Sequence, residues 1–185
     1  SVTLGNFLSA LEVTRRNGVE LPAEFTSGLE RMFEYYVATA LPDGGSPALN
    51  DSGWGPGARG LTEGLALFPE RADFRYLATG GKEGAPPQRT SWALPYAGWY
   101  AMRTGWGPDD LYLHLDAGPL GAAHHHEDKL SVIVHAGRKT ILTEGGNYSY
   151  DTSEWRRYVL STRAHNTVMV DGLEQHRAPL RETRV

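Results

Sequence analysis

The sequence predicts an α+β fold: helices first and antiparallel strands second, in two units rather than an interleaved α/β arrangement. Three observations carry that reading. Apolar residues recur at helical spacing through the first 37 residues. From Ser91 the spacing changes to the alternation of a half-buried strand. Between them, residues 79–90 are rich in glycine, proline and charge, which puts the boundary between a unit at 1–90 and a unit at 91–185.

The first helix is expected over residues 4–16, with Leu4, Phe7, Leu8 and Leu11 at i, i+3, i+4 and i+7. A second carries Leu21, Phe25, Leu29, Met32, Phe33, Tyr36 and Val37 as one stripe, and Pro22 suits its first turn. It stops at Leu41-Pro42-Asp43-Gly44-Gly45. Residues 42–60 then read as a long Gly/Pro/Asp loop, a kind that is usually functional or disordered. Trp54 and the polar run Asn50-Asp51-Ser52 make it a candidate carbohydrate-facing loop. A short helix follows at 62–68, continuing towards Leu77. Residues 96–106 and 111–115 read as strands joined by a turn at 105–110. Residues 130–135 and 140–143 flank Ala136-Gly137-Arg138-Lys139 as a hairpin. Residues 158–160 and 167–170 continue the strand series, and Asp171-Gly172 is a further turn.

Composition narrows the function classes. The 185 residues are 40% hydrophobic, enough for one or two small cores. No apolar run approaches the roughly 20 residues of a membrane-crossing helix. The net charge of −4 gives no field suited to nucleic acid. There is no cysteine, so any metal must use histidine and carboxylate. Arginine outnumbers lysine by 15 to 3. Arg156, Arg157, Arg163, Arg177, Arg181 and Arg184 crowd the end of the chain. Arginine makes two-pronged contacts with carboxylate and sulfate-like groups, although high-GC codon usage also enriches it. The chain starts without Met and ends in a charged stretch, so it reads as a fragment of a longer protein.

The densest chemistry lies in Ala122-Ala123-His124-His125-His126-Glu127-Asp128-Lys129-Leu130-Ser131. A strand opening with this cluster puts His124, His126 and Asp128 on one face and His125 and Glu127 on the other. Two imidazoles and a carboxylate on one face suit a divalent metal or acid–base chemistry near neutral pH. Pairing across the hairpin would bring Glu144 back beside His126 and Asp128, and a neighbouring strand could add His165. His126, Glu144 and His165 then make a three-ligand set with room for water, which fits zinc.

Three motifs in order resemble the heparinase II/III-like polysaccharide lyases. They are His124-x-His126-x-Asp128-x-Leu130-Ser131, then Leu142-x-Glu144-x-Gly146-x-Tyr148-x-Tyr150, then Thr162-x-Ala164-His165-Asn166-Thr167-Val168-x-Val170-Asp171-Gly172. The loop from Pro42 to Ser52 and the run Tyr96-Ala97-Gly98-Trp99-Tyr100-Ala101-Met102-Arg103 are also similar to that family. The resemblance covers residues 30–185. It implies the C-terminal part of an incomplete (α/α) toroid followed by an antiparallel β-sandwich. It implies an enzyme that cleaves uronic-acid-containing polysaccharide, a glycosaminoglycan or alginate, by β-elimination. His124 is then expected at the substrate with Tyr150, or Tyr148, beside it. His126, Glu144 and His165 are expected on one zinc ion that is mainly structural. Trp54, Asn50 and Arg163 are the expected substrate-binding residues. At Glu144 the family more often has Asp, and the longer arm places the oxygen differently. The toroid residues that neutralise the uronate carboxylate and protonate the leaving group would precede Ser1, so the fragment alone is expected to be inactive. The expected partner is an acidic polysaccharide, a homodimer is allowed, and the expected location is periplasmic or secreted, with cytoplasmic as the alternative.

Two other readings compete. Gly118, five residues and His124-x-His126 match the start of a cupin-like metal pattern, but its Glu is missing, with Leu130 and Ser131 in the places where it would fall. A non-catalytic, zinc-stabilised carbohydrate-binding β-sandwich would use the same residues without turnover.

Overall fold

Leu29, Phe33 and Val37 stand one helical turn apart and are buried, and the helical layer is built on them. The computed structural model describes residues 2–121 and 123–175, so Ala122, Arg177, Arg181 and Arg184 lie outside the described residues. Helix α1 spans Val2–Arg16 and buries Leu4 and Leu11. Helix α2 spans Ala23–Thr39. Pro22 stands immediately before it at φ −63°, the value its ring imposes.

Helix α3 (Ala58–Leu67) crosses α2 on glycines. A Cβ at Gly64 would lie 2.8 Å from the Phe33 ring, and one at Gly60 would lie 2.9 Å from Tyr36. The chain breaks at Pro69 and resumes as α4 (Ala72–Ala78). Phe33, Phe68 and Phe74 meet with ring centroids 6.1–6.4 Å apart, the spacing of edge and tilted aromatic contacts. The expected helix at 62–68 therefore starts earlier and is two helices. The long loop before it holds a small antiparallel pair, β1 (Gly45–Ser46) and β2 (Gly55–Pro56).

The second unit is a five-stranded antiparallel meander in chain order. Its strands are β3 (Ser91–Leu94), β4 (Trp99–Arg103), β5 (Tyr112–Asp116), β6 (Ser131–Ala136) and β7 (Lys139–Leu142). Alternation puts Ala101, Arg103, Tyr112, His114, Asp116, Ser131, Ile133 and His135 on the buried face. That face is unusually polar; Arg103 and Tyr112 turn it towards the end of α2, and Ser131 turns it towards Glu144. Trp92 packs into the helical core cluster. Arg103 Nη2 donates to the carbonyls of Ala38 and Ala40, each at 3.0 Å, at the end of α2. The expected boundary at 79–90 thus separates two patterns of secondary structure whose side chains share a core. Among the described residues no helix is long and apolar enough to cross a membrane.

Four strand expectations change. Residues 96–106 are not one strand. Pro95 and Gly98 (φ 71°) make a turn between β3 and β4, and a Cβ at Gly98 would stand 2.3 Å from Gly118 Cα. Residues 158–160 belong to a helix, α5 (Glu154–Leu160), because Ser153 caps it by accepting from the Arg156 amide at 3.2 Å. Residues 167–170 form no strand, and a single bridge joins Val170 to Leu173 across the expected Asp171-Gly172 turn. The His124–Asp128 stretch is loop, not strand, and His124 itself sits at φ 56°.

Candidate functional site

The polar cluster assembles around Asp51, whose side chain is 3% exposed. Its loop is held from both sides. Leu49 accepts from the Ser52 amide at 3.0 Å, and Ser52 in turn accepts from Asn147 at 3.3 Å. Gly146 (φ 68°) lets the two loops touch, since a Cβ there would be 2.6 Å from the Ser52 carbonyl oxygen. Four contacts converge on the Asp51 carboxylate. Arg156 donates to both oxygens, at 2.6 and 2.9 Å. His126 Nε2 lies 2.9 Å from Oδ1, and His124 Nδ1 lies 3.1 Å from Oδ2. Burial would raise the Asp51 carboxyl, but the bonds from Arg156, His126 and His124 hold it well below the ordinary carboxylate range. Arg156 is aimed by α5 and also donates to the Asn147 carbonyl at 2.8 Å.

His124 and His126 therefore point at one target although no strand carries them. His124 is the exposed member, with a side chain 67% accessible. The Tyr150 hydroxyl lies 3.2 Å from its Nδ1, and the two rings meet edge-on at 5.8 Å. His126 is buried, which pulls its imidazole towards neutrality against the opposing bond to Asp51. Its ring lies 5.2 Å from the ring of His165.

Below this layer, Glu144 bonds Ser131 through Oε1 and His165 Nδ1 through Oε2. Burial works against the charge on His165, but the bond and charge of Glu144 prevail and raise it. Burial raises Asp116, and burial with the Asp116 charge raises Asp128. Three carboxylates thus crowd the two histidines. The donor types suit a divalent cation, and the buried His165 Nε2 has no hydrogen-bond partner. Among the described residues, however, no group of three or more such side chains is arranged to hold an ion, and Glu144 bonds to His165 directly.

A cavity of about 390 Å³ opens over the cluster, lined by Asn50, Tyr96, Trp99, His124, His126 and Asp128 among others. The expected site residues thus separate into two groups. Asn50, His124, His126 and Tyr150 gather at or beside the cavity, with Glu144 and His165 beneath. Trp54, Tyr148 and Arg163 are exposed and do not line it. Sequence reasoning did not single out Asp51 and Arg156. The available signals were the polar run Asn50-Asp51-Ser52 and the Ser153 cap that opens a helix just before Arg156.

Residues 86–184 match the model of the "Heparinase II/III-like, C-terminal" family, and residues 1–76 match that of the "Heparinase II/III N-terminus". A heparin-sulfate lyase of Bacteroides stercoris is 28% identical over 174 residues, covering 89% of this chain and 26% of its own. The heparin-sulfate lyase of Pedobacter heparinus is likewise 28% identical, over 175 residues, with the same shares covered. Among solved structures, a heparinase III superposes with a TM-score of 0.83 at 29% identity, over 92% of this chain and 28% of that one. The heparan sulfate lyase HepC of Pedobacter heparinus gives 0.83 at 26% identity, over the same shares. The chain spans about a quarter of the length of the curated relatives it matches.

Proposed function

We propose, since this chain belongs to the heparinase II/III-like family, that the whole protein is a polysaccharide lyase acting on a heparan-sulfate-like glycosaminoglycan. The curated relatives it matches are heparin-sulfate lyases, which favours a glycosaminoglycan over alginate. On this reading residues 1–90 are the end of an (α/α) toroid and residues 91–185 the start of a β-sandwich. The substrate runs between them, over the cavity that Asn50 and His124 line from either side. A periplasmic or secreted location suits a polymer of that kind.

The observation that carries the proposal is the exposed imidazole of His124, held on one nitrogen at the rim of a cavity with a tyrosine hydroxyl in reach. β-Elimination breaks the C5–H bond of a uronate, forms the C4=C5 double bond from that electron pair, and breaks C4–O, whose electron pair stays on the leaving oxygen and takes up a proton from a general acid. His124 takes the C5 proton. Tyr150, with its hydroxyl 3.2 Å from the imidazole, stands beside that base. The carboxylate charge of the uronate must be neutralised before C5 becomes acidic enough, and fixed donors do that best.

The zinc ion proposed for His126, Glu144 and His165 would need these side chains to rearrange, since Glu144 bonds His165 directly and no three of them among the described residues are arranged around an ion. Bound there, it would supply a fixed positive charge that offsets the crowded carboxylates. His126 is bonded to Asp51, as metal-bound histidines commonly are to a carboxylate. The test is the full-length protein on heparan sulfate, heparin, chondroitin sulfate, hyaluronan and alginate, followed by ultraviolet absorbance of the unsaturated product. Heparan-type substrates should give the signal. Signal from alginate alone, or from none, would refute the reading.

A further inference from the structure

Asp51 lies 73 residues from His124 in sequence and 105 from Arg156, yet its carboxylate meets both. An ionised carboxylate only accepts hydrogen bonds. The proton in the 3.1 Å contact therefore sits on His124 Nδ1. In the neutral ring that leaves the lone pair on Nε2, the nitrogen turned away from Asp51. The Tyr150 hydroxyl, 3.2 Å from the same Nδ1, can then only share that N–H as an acceptor. Its own O–H is left to point elsewhere. The carboxylate in turn cannot rotate, because Arg156 grips both oxygens and His126 occupies Oδ1.

We propose that Asp51 is a positioning residue, which fixes His124 as the Nδ1–H tautomer so that Nε2 is free to take a proton from substrate, with Arg156 holding the carboxylate in place. The inference rests on the reading of His124 as the group that meets substrate. The site is then built from two parts of the chain. The loop after α2 supplies the orienting carboxylate, and the loop before β6 supplies the imidazole. Neither half presents a defined tautomer alone.

The test uses full-length protein labelled with 15N at histidine, with His124→Gln to assign the signal. The tautomer is read from ring-nitrogen shifts in wild type, Asp51→Asn, Asp51→Glu and Arg156→Lys. Wild type should show His124 protonated on Nδ1. Asp51→Asn should move it to the other tautomer or a mixture. Turnover should fall by about 10–100-fold, the usual scale for removing an orienting partner, with KM changed much less. Asp51→Glu, which keeps the acceptor, should restore the tautomer and part of the turnover. Arg156→Lys should keep the Nδ1–H form even where it lowers the melting temperature. An unchanged tautomer in Asp51→Asn would overturn the proposal, as would parallel losses of stability and turnover in every variant without a tautomer change. The tautomer is read without substrate, so its failure is distinct from a failure of the lyase reading, which the polysaccharide panel decides.

Discussion

Arg103→Met isolates what fastens the helical layer to the sheet. Arg103 is 7% exposed and its guanidinium stands 3.7 Å from the Trp106 ring centroid and 4.7 Å from that of Tyr112. It caps α2, whose last carbonyls carry partial negative charge, through the two bonds to Ala38 and Ala40. Burial lowers its pKa to about 10, partly offset by Tyr112 and Asp110. Keeping the charge there costs roughly 3 kcal/mol. Methionine removes that cost and keeps much of the apolar stem. It also removes two hydrogen bonds from a charged donor, about 1.5–3 kcal/mol each, and a desolvated cation–π contact of about 2 kcal/mol. The balance is a loss of about 2–5 kcal/mol. The assay is amide hydrogen exchange over the last turn of α2, with a thermal melt of the full-length protein alongside. Protection there should fall together with the melting temperature. Exchange within about 0.5 kcal/mol of wild type would refute the reasoning, because the charge would then be neutral in net effect.

Two further perturbations follow from the same contacts. Gly64→Ala gains helix propensity of about 1 kcal/mol but drives a methyl to 2.8 Å from Phe33, so overpacking of about 1–3 kcal/mol should prevail and lower the urea midpoint; a rise would show that the ring moves freely. The pH dependence of metal-depleted protein has a definite sign. His165, Asp128 and Asp116 all have raised folded values. Groups of that kind contribute stability that is complete below their unfolded values and lost as pH rises through the folded ones. The melting temperature in chelator should therefore fall as pH rises through the folded values of these groups, and saturating zinc should flatten the curve. A melting temperature that rises with pH across the same window would contradict the raised values.

How much was legible in the sequence depends on how local each feature is. Helices α1 and α2 and the β6–β7 hairpin follow from short-range periodicity and turn residues, and the structure has them where expected. The run Tyr158-Val159-Leu160 is too short for periodicity to separate strand from helix, and the Ser153 cap decides it. The histidine triplet was found by its composition, but the strand face invoked to unite His124 and His126 does not exist. Asp51 unites them instead, from more than 70 residues away. Contacts at that separation leave no trace in spacing. Asp51 and Arg156 look in the sequence like one acid in a polar loop and one arginine among many.

In the proposed reaction His124 meets the substrate, while His126 serves the proposed zinc site and the fold. That division of roles is tested most directly by turnover and zinc content of full-length His124→Ala beside wild type on heparan sulfate. Turnover should fall by about two to four decades, the scale for removing an acid–base group, with zinc content and melting temperature near those of wild type. Near-normal turnover in His124→Ala, or loss of zinc with it, would contradict the account.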